Sequence, residues 1–305
     1  MAAPGQHFPF ELLAPPDPAR LPLPPAAHPA TGVRLLRGAV YAVPEGIRPL
    51  ELDLWLPEEA RGPVPVVVFV HGGAWRTGLR DDLGPRFRDW TPGPFARLAR
   101  AGYAVVCPDY RLTGEAVHPA QVDDLSAALR WLHLRSGELG LDTERTVLWG
   151  ESAGGHLAAL TALTGGGPGT ATVRGCAVWY APADLVRIAD DHPAGRYDAS
   201  DPTTFEALLT GAALADDPAR ARAASPVAQV TADAPPFLVL HGTEDGIVPC
   251  AQSERLVGAL REAGVPVDFR PVAGGDHLWV GLSEEAVAQC FGTTLDFVAR
   301  HTEHT

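Results

Sequence analysis

A serine set among small residues, Gly150-Glu151-Ser152-Ala153-Gly154, follows the apolar run Thr146–Trp149 and leads into a helix-like stretch from Gly155. A sharp strand-to-helix turn of this composition lifts the Ser152 hydroxyl above a sheet. It also aims the hydroxyl at free helix N-terminal N–H groups, which favour a developing negative charge. Such a turn needs glycine at 150 and 154, where a Cβ would collide with the neighbouring strand and helix. The pentapeptide alone is equally compatible with a structural turn, because glycine and serine are common in loops. Serine becomes a nucleophile only beside a base, a carboxylate that orients the base, and donors for an oxyanion. Candidates for each lie far away in sequence. The base is His277, in Gly274-Gly275-Asp276-His277-Leu278-Trp279. The acid is Asp245, with Glu244 and Asp276 competing, and the donors belong to the turn His71-Gly72-Gly73-Ala74-Trp75. The corresponding chemistry is acyl transfer. His71, His156 and His241 are expected to pack or hydrogen-bond within their turns. Trp75 reads equally as a pocket wall or as packing for its loop.

These loops need a common scaffold, and the hydrophobic pattern supplies one. Val66–Val70, Tyr103–Cys107, Thr146–Trp149, Cys176–Tyr180 and Phe237–Leu240 are continuous apolar runs, with a further strand near Val267–Val272. Continuous runs are the mark of strands covered on both faces. Between them, Val122, Leu125, Ala128, Leu129 and Leu132 fall on one helical face, and Gln252–Ala263 and Glu284–Arg300 carry similar faces. Alternating strands and helices predict an α/β fold with a mostly parallel, doubly wound sheet. Ligands bind such sheets at the carboxyl ends of the strands, where each candidate residue falls. Ahead of this region, Val33–Ala42 and Leu50–Leu56, joined through Pro44-Glu45-Gly46, predict an antiparallel pair with one wet face.

Residues 1–30, rich in Pro and Ala, predict an extended or loosely packed arm, with Phe8, Phe10, Leu12 and Leu13 available to pin it. Residues 31–305 then form one domain. It is interrupted over about 182–236 by an insertion rich in Asp, Ala and Pro, with helix-like pieces at Phe205–Leu209 and Pro218–Ala224 and no strand. Its place beyond a strand end suits a cap over the site.

Hydrophobic residues make up 46% and charged residues 20%, enough apolar material for a large core. The net charge of -13 argues against nucleic acid or an anionic membrane as partner. The N-terminal residues lack a secretory pattern and no apolar stretch is long enough to span a membrane, so a cytoplasmic location is expected. Cys107, Cys176, Cys250 and Cys290 lack C-x-x-C spacing, so no metal site is expected and the thiols are read as reduced; a Cys250–Cys290 bridge stays open.

The order Ser152, Asp245, His277 is that of the α/β-hydrolases, and from about residue 32 to 300 the sequence resembles their esterase/lipase branch carrying an H-G-G motif. Asp109-Tyr110-Arg111-Leu112 and Pro119-Ala120-Gln121 fall where that branch has similar segments. The resemblance implies an α/β-hydrolase fold with Ser152 as nucleophile, Asp245 orienting His277, and His277 as base and then acid. It also implies an oxyanion hole from the N–H groups of Ala153, Gly73 and Ala74. Many relatives have a third glycine where Ala74 stands, which leaves the local backbone angles open. The implied function is a serine esterase acting on short-chain carboxylic esters, with a small-molecule ester as partner and no cofactor. Homo-oligomerisation is left open. An arylformamidase-like amidase shares the H-G-G-x-W segment, and a prolyl-oligopeptidase-like peptidase shares the residue order. A non-catalytic relative fits least, since no member of the trio is replaced.

Overall fold

The computed structural model describes residues 15–303. Among them, nine strands build one sheet: β1 (Ala26–Ala30), β2 (Val33–Ala42), β3 (Leu50–Pro57), β4 (Val64–Val70), β5 (Ala104–Pro108), β6 (Leu141–Glu151), β7 (Val173–Trp179), β8 (Phe237–Gly242) and β9 (Val267–Val272). Their order is β1-β2-β3-β5-β4-β6-β7-β8-β9. The pairs from β5 through β4 to β9 are parallel, whereas β1–β2, β2–β3 and β3–β5 are antiparallel. The fold class is therefore as expected, and its reason is visible in β4. Val66, Val68 and Val70 face one side of the sheet and Val67 and Phe69 the other, each in a separate apolar layer.

Helices α2 (Ala120–Leu134), α4 (Ala153–Thr164) and α8 (Cys250–Glu262) cover the first side through Leu125, Leu157, Leu256 and their neighbours. On the other side lie α1 (Pro94–Arg100) and α9 (Glu284–Thr302), through Phe95, Leu98, Phe291 and Phe297. Four short helices remain: α3 (Ser136–Leu139) before β6, and α5 (Ile188–Asp191), α6 (Phe205–Thr210) and α7 (Pro218–Ala223) in the stretch between β7 and β8, which holds no strand.

Two features go beyond the sequence pattern. The expected antiparallel pair is a triplet, because Ala26–Ala30 pairs along β2 from Ala26 opposite Leu36 to Ala30 opposite Val33. This edge strand is almost wholly exposed, so it carries no apolar signature and is held by main-chain hydrogen bonds. Upstream, the Pro18 carbonyl accepts from Trp131 Nε1 (3.2 Å) and the Leu21 carbonyl from Arg135 Nη1 (2.7 Å). The arm is thus tied to the body over the part described; Phe8, Phe10, Leu12 and Leu13 lie outside the described residues. The second feature is α1, whose seven residues are too short to show a helical period. All four cysteines are free, Cys250 and Cys290 included. Among the described residues no helix is long and apolar enough to cross a membrane, and no three or more His, Cys, Asp or Glu side chains cluster as metal ligands.

Candidate active site

Ser152 joins β6 to α4 with φ 52° and ψ -125°, a left-handed conformation that costs a non-glycine residue about 1–3 kcal/mol. Two glycines permit it. A Cβ on Gly150 would overlap the Gly154 carbonyl, and one on Gly154 would overlap the carbonyls of Val70 and His71. The strain is held from both sides, because Ser152 N–H donates to the Trp179 carbonyl (2.9 Å) and His156 N–H to the Ser152 carbonyl (3.0 Å).

His277 and Asp245 arrive from the loops after β9 and β8. Ser152 Oγ lies 3.0 Å from His277 Nε2, and His277 Nδ1 lies 2.7 Å from Asp245 Oδ2. The carboxylate fixes the tautomer: Nδ1–H donates to Asp245, leaving Nε2 to accept from the serine hydroxyl. The other Asp245 oxygen accepts the N–H groups of Ile247 (2.9 Å) and Val248 (2.8 Å). Burial by itself would raise the Asp245 pKa. Hydrogen bonds from His241 and His277, with the Val248 amide, outweigh it and hold the carboxyl well below the usual carboxylate range. The competing acids are elsewhere. Asp276 Oδ1 accepts from the N–H groups of His277 (2.7 Å) and Gly246 (2.8 Å), and Glu244 is exposed.

His241 does more than pack its turn. Its Nε2 lies 2.8 Å from the Val248 carbonyl and 3.3 Å from Asp245 Oδ2, while Ser253 is 2.7 Å from Nδ1. It buttresses the same carboxylate oxygen that His277 engages. Tyr180, read from the sequence only as the end of an apolar run, packs its ring edge-on to His277 with centroids 4.9 Å apart. His71 stacks on Tyr110 (4.4 Å), and His156 hydrogen-bonds not within its own turn but to the Ala224 carbonyl of the insertion (2.7 Å). Burial pushes His156 down to about 3, so it stays neutral.

The turn after β4 faces Ser152. Gly73 has φ 110°, Ala74 φ 54° and Trp75 φ 55°. Ala74 therefore stands in the left-handed region that a third glycine would occupy freely, at a cost of roughly 1–2 kcal/mol. Gly73 and Ala74 N–H donate to no described group, and Ala153 N–H, in the first turn of α4, has no intrahelical acceptor. The Asp109-Tyr110-Arg111 segment braces this turn: Tyr110 OH donates to the His71 carbonyl (3.0 Å), and Asp109 accepts from Arg80 Nη1 (2.9 Å).

Glu151, beside the serine, was not singled out in the sequence. Its Oε1 accepts the Gly72 N–H (2.8 Å), and the Tyr180 hydroxyl also acts on the carboxyl. A Cβ on Gly72 would collide with this carboxyl, which explains the first glycine of the H-G-G turn. Burial, only partly offset by His277, the Gly72 amide and the Tyr180 hydroxyl, pushes Glu151 up to about 7.

A cavity of about 550 Å³ opens at Ser152 and His277. Gly73, Ala74, Trp75, Ala153, Val248 and Leu278 line it from the body. The insertion contributes Pro182, His192, Tyr197 and Thr203–Glu206. Trp75 both lines this cavity and packs its loop, 2% exposed and edge-on to His156 at 5.0 Å. The insertion is stitched to α8, where Gln252 Oε1 accepts the N–H groups of Ala183 (2.9 Å) and Asp184 (2.8 Å). Arg255 and Asp191 form a double ion pair at 2.7 Å.

Comparison with known proteins places this geometry in a family. A family model described as BD-FAE matches residues 52–260, more than half of the chain. The chain belongs to the BD-FAE family. This BD-FAE member is 33% identical over 238 residues to esterase LipQ of Mycobacterium tuberculosis, covering 74% of this chain and 53% of LipQ. It is 31% identical over 243 residues to esterase LipC of the same organism, covering 74% of this chain and 56% of LipC. It thus spans about half the length of these relatives. Among solved structures, a truncated carbohydrate esterase from gut microbiota superimposes with a TM-score of 0.75 at 25% identity, covering 92% of this chain and 99% of that one. The BD-FAE member has the α/β-hydrolase fold.

Proposed function

We propose that the chain is a serine hydrolase that cleaves short-chain carboxylic esters through an acyl-enzyme. The observation that carries this is the hydrogen-bonded series Ser152–His277–Asp245, at 3.0 and 2.7 Å, facing three amides without acceptors. Ser152 Oγ adds to the ester carbonyl carbon as His277 Nε2 takes its proton. The N–H groups of Gly73, Ala74 and Ala153 form the oxyanion hole that meets the charge on the carbonyl oxygen. Collapse of the adduct breaks the ester bond, and His277 returns the proton to the departing alcohol. Water, deprotonated by the same nitrogen, then releases the acid and regenerates Ser152. Asp245 keeps the imidazole in its tautomer and stabilises the imidazolium; with Ser152 and His277 it makes the catalytic triad.

The esterase names of the relatives support this reading over the amidase and peptidase alternatives. The insertion acts as the cap, and a reducing, cytoplasmic setting suits the free thiols. The test is Ser152→Ala. It is expected to remain folded, to lose about a thousandfold or more of kcat on p-nitrophenyl butyrate, and to escape labelling by a fluorophosphonate probe. Labelling that persists in the variant moves the nucleophile elsewhere and ends the proposal.

A further inference from the structure

The insertion contributes to the cavity wall a buried acid that the hydrolytic steps do not use. Glu206, in the first turn of α6, is 8% exposed, and its Oε2 accepts the Tyr197 hydroxyl at 2.8 Å. The other carboxyl oxygen receives no hydrogen bond from the side chain or backbone of any other described residue, and no cationic side chain pairs with it. Burial raises the pKa of the acid, and its own amide and Tyr197 offset this only in part. Nearby hydroxyls are committed elsewhere. Thr203 Oγ1 donates to Asp201 Oδ1 (2.7 Å), and Thr204 Oγ1 donates to the Asp201 carbonyl (3.2 Å) and caps α6 at the Ala207 N–H (3.2 Å). A carboxyl oxygen that no neighbouring side chain engages is free to accept a hydrogen bond from a ligand. Glu206 lines the same cavity as Ser152, so a bound substrate can supply the donor.

We propose that Glu206, held by Tyr197, is a subsite for a hydroxyl group on the ester substrate. The inference rests on the ester-hydrolase reading above and adds the kind of ester. The hydroxyl donates to the open carboxyl oxygen while the ester carbonyl reaches Ser152. A hydroxyl suits the site better than an ammonium group, because Arg76, an exposed residue of the same cavity wall, already brings a positive charge that disfavours a second cation. Phe205 and Ile247, 47% and 60% exposed, flank the cavity with apolar surface that can cover the carbon skeleton bearing the hydroxyl.

Two matched pairs test this: n-butyl acetate against ω-hydroxybutyl acetate, and ethyl hexanoate against ethyl ω-hydroxyhexanoate. The readout is the ratio of kcat/KM within each pair, which loss of folded enzyme leaves unchanged. In the wild-type chain the hydroxylated member of at least one pair is expected to be favoured about tenfold, the scale of one hydrogen bond to a charged acceptor. Glu206→Leu is expected to bring that ratio to about one, and Glu206→Met, closer in length, gives a second variant should leucine not fold. A wild-type ratio near one in both pairs overturns the subsite, as does a preference that survives in either variant. Failure of the wild-type chain to hydrolyse any of the four esters overturns the ester-hydrolase reading instead.

Discussion

At the scale of single residues, Glu151 is the least expected member of the site and gives it a distinct pH signature. Its carboxyl titrates at about 7 in the folded chain against an ordinary 4.5, because burial outweighs His277 and the hydrogen bonds from Gly72 and Tyr180 that favour the ionised form. Below about pH 4.5 both folded and unfolded chains hold the proton, and the raised pKa contributes its full stability. As the pH rises towards 7 the unfolded chain gives up its proton first, so this contribution is lost through that window. Its size is on the order of 3 kcal/mol. Glu151→Gln is therefore expected to flatten the fall in stability between these two values, read from denaturant midpoints across the window. Parallel curves for the two proteins would show that Glu151 carries no such shift. Asp245 works in the opposite sense: with its pKa lowered, its contribution is present above the usual carboxylate range and is lost on acidification.

At the scale of elements, the turn after β4 and the end of β6 are one mechanical unit. Glu151, the last residue of β6, accepts the Gly72 N–H, and so sets the position of Gly73 and Ala74 relative to Ser152. Gly72→Ala drives a Cβ into that carboxyl. We expect it to lower kcat about a hundredfold by displacing the proposed oxyanion donors, the scale seen for loss of one such donor. In a Glu151→Ala background the added Cβ meets no carboxyl, so the same substitution should cost distinctly less. A double-mutant cycle measures the difference. Equal costs in both backgrounds would mean that the turn is held by Tyr110 and Asp109 without Glu151.

At the scale of the whole molecule, the insertion and the sheet together wall the cavity beside Ser152, and the proposed cap would limit substrate size. The cavity beside Ser152 measures about 550 Å³, and the helices of the insertion, four and six residues long, are too short to swing as an amphipathic lid. Each buried methylene contributes about 0.8 kcal/mol, roughly fourfold in binding, until packed side chains resist a longer chain. Across p-nitrophenyl esters from acetate to palmitate, kcat/KM is expected to peak between acetyl and hexanoyl, without a jump at the solubility limit. A maximum at long chains, or a rate surge on emulsified substrate, would show a lipase and a cap that opens.

The sequence by itself determined the parallel sheet and the positions of Ser152, Asp245 and His277. Continuous apolar runs mark doubly covered strands, and the chemistry-bearing loops follow those runs directly. It determined Gly150 and Gly154 as well, since a backbone forced to φ 52° at Ser152 leaves no room for their Cβ atoms. Tertiary structure alone decided the rest. The edge strand Ala26–Ala30 is fixed by main-chain bonds, which no side-chain pattern records. His241 beside Asp245, Glu151 against Gly72 and Glu206 on Tyr197 are pairings whose meaning depends on burial and on which oxygen is left without a partner. A glutamate in a sequence is a solvated charge by default. Only packing removes the water and turns it into a brace for the oxyanion turn or a subsite for a substrate hydroxyl.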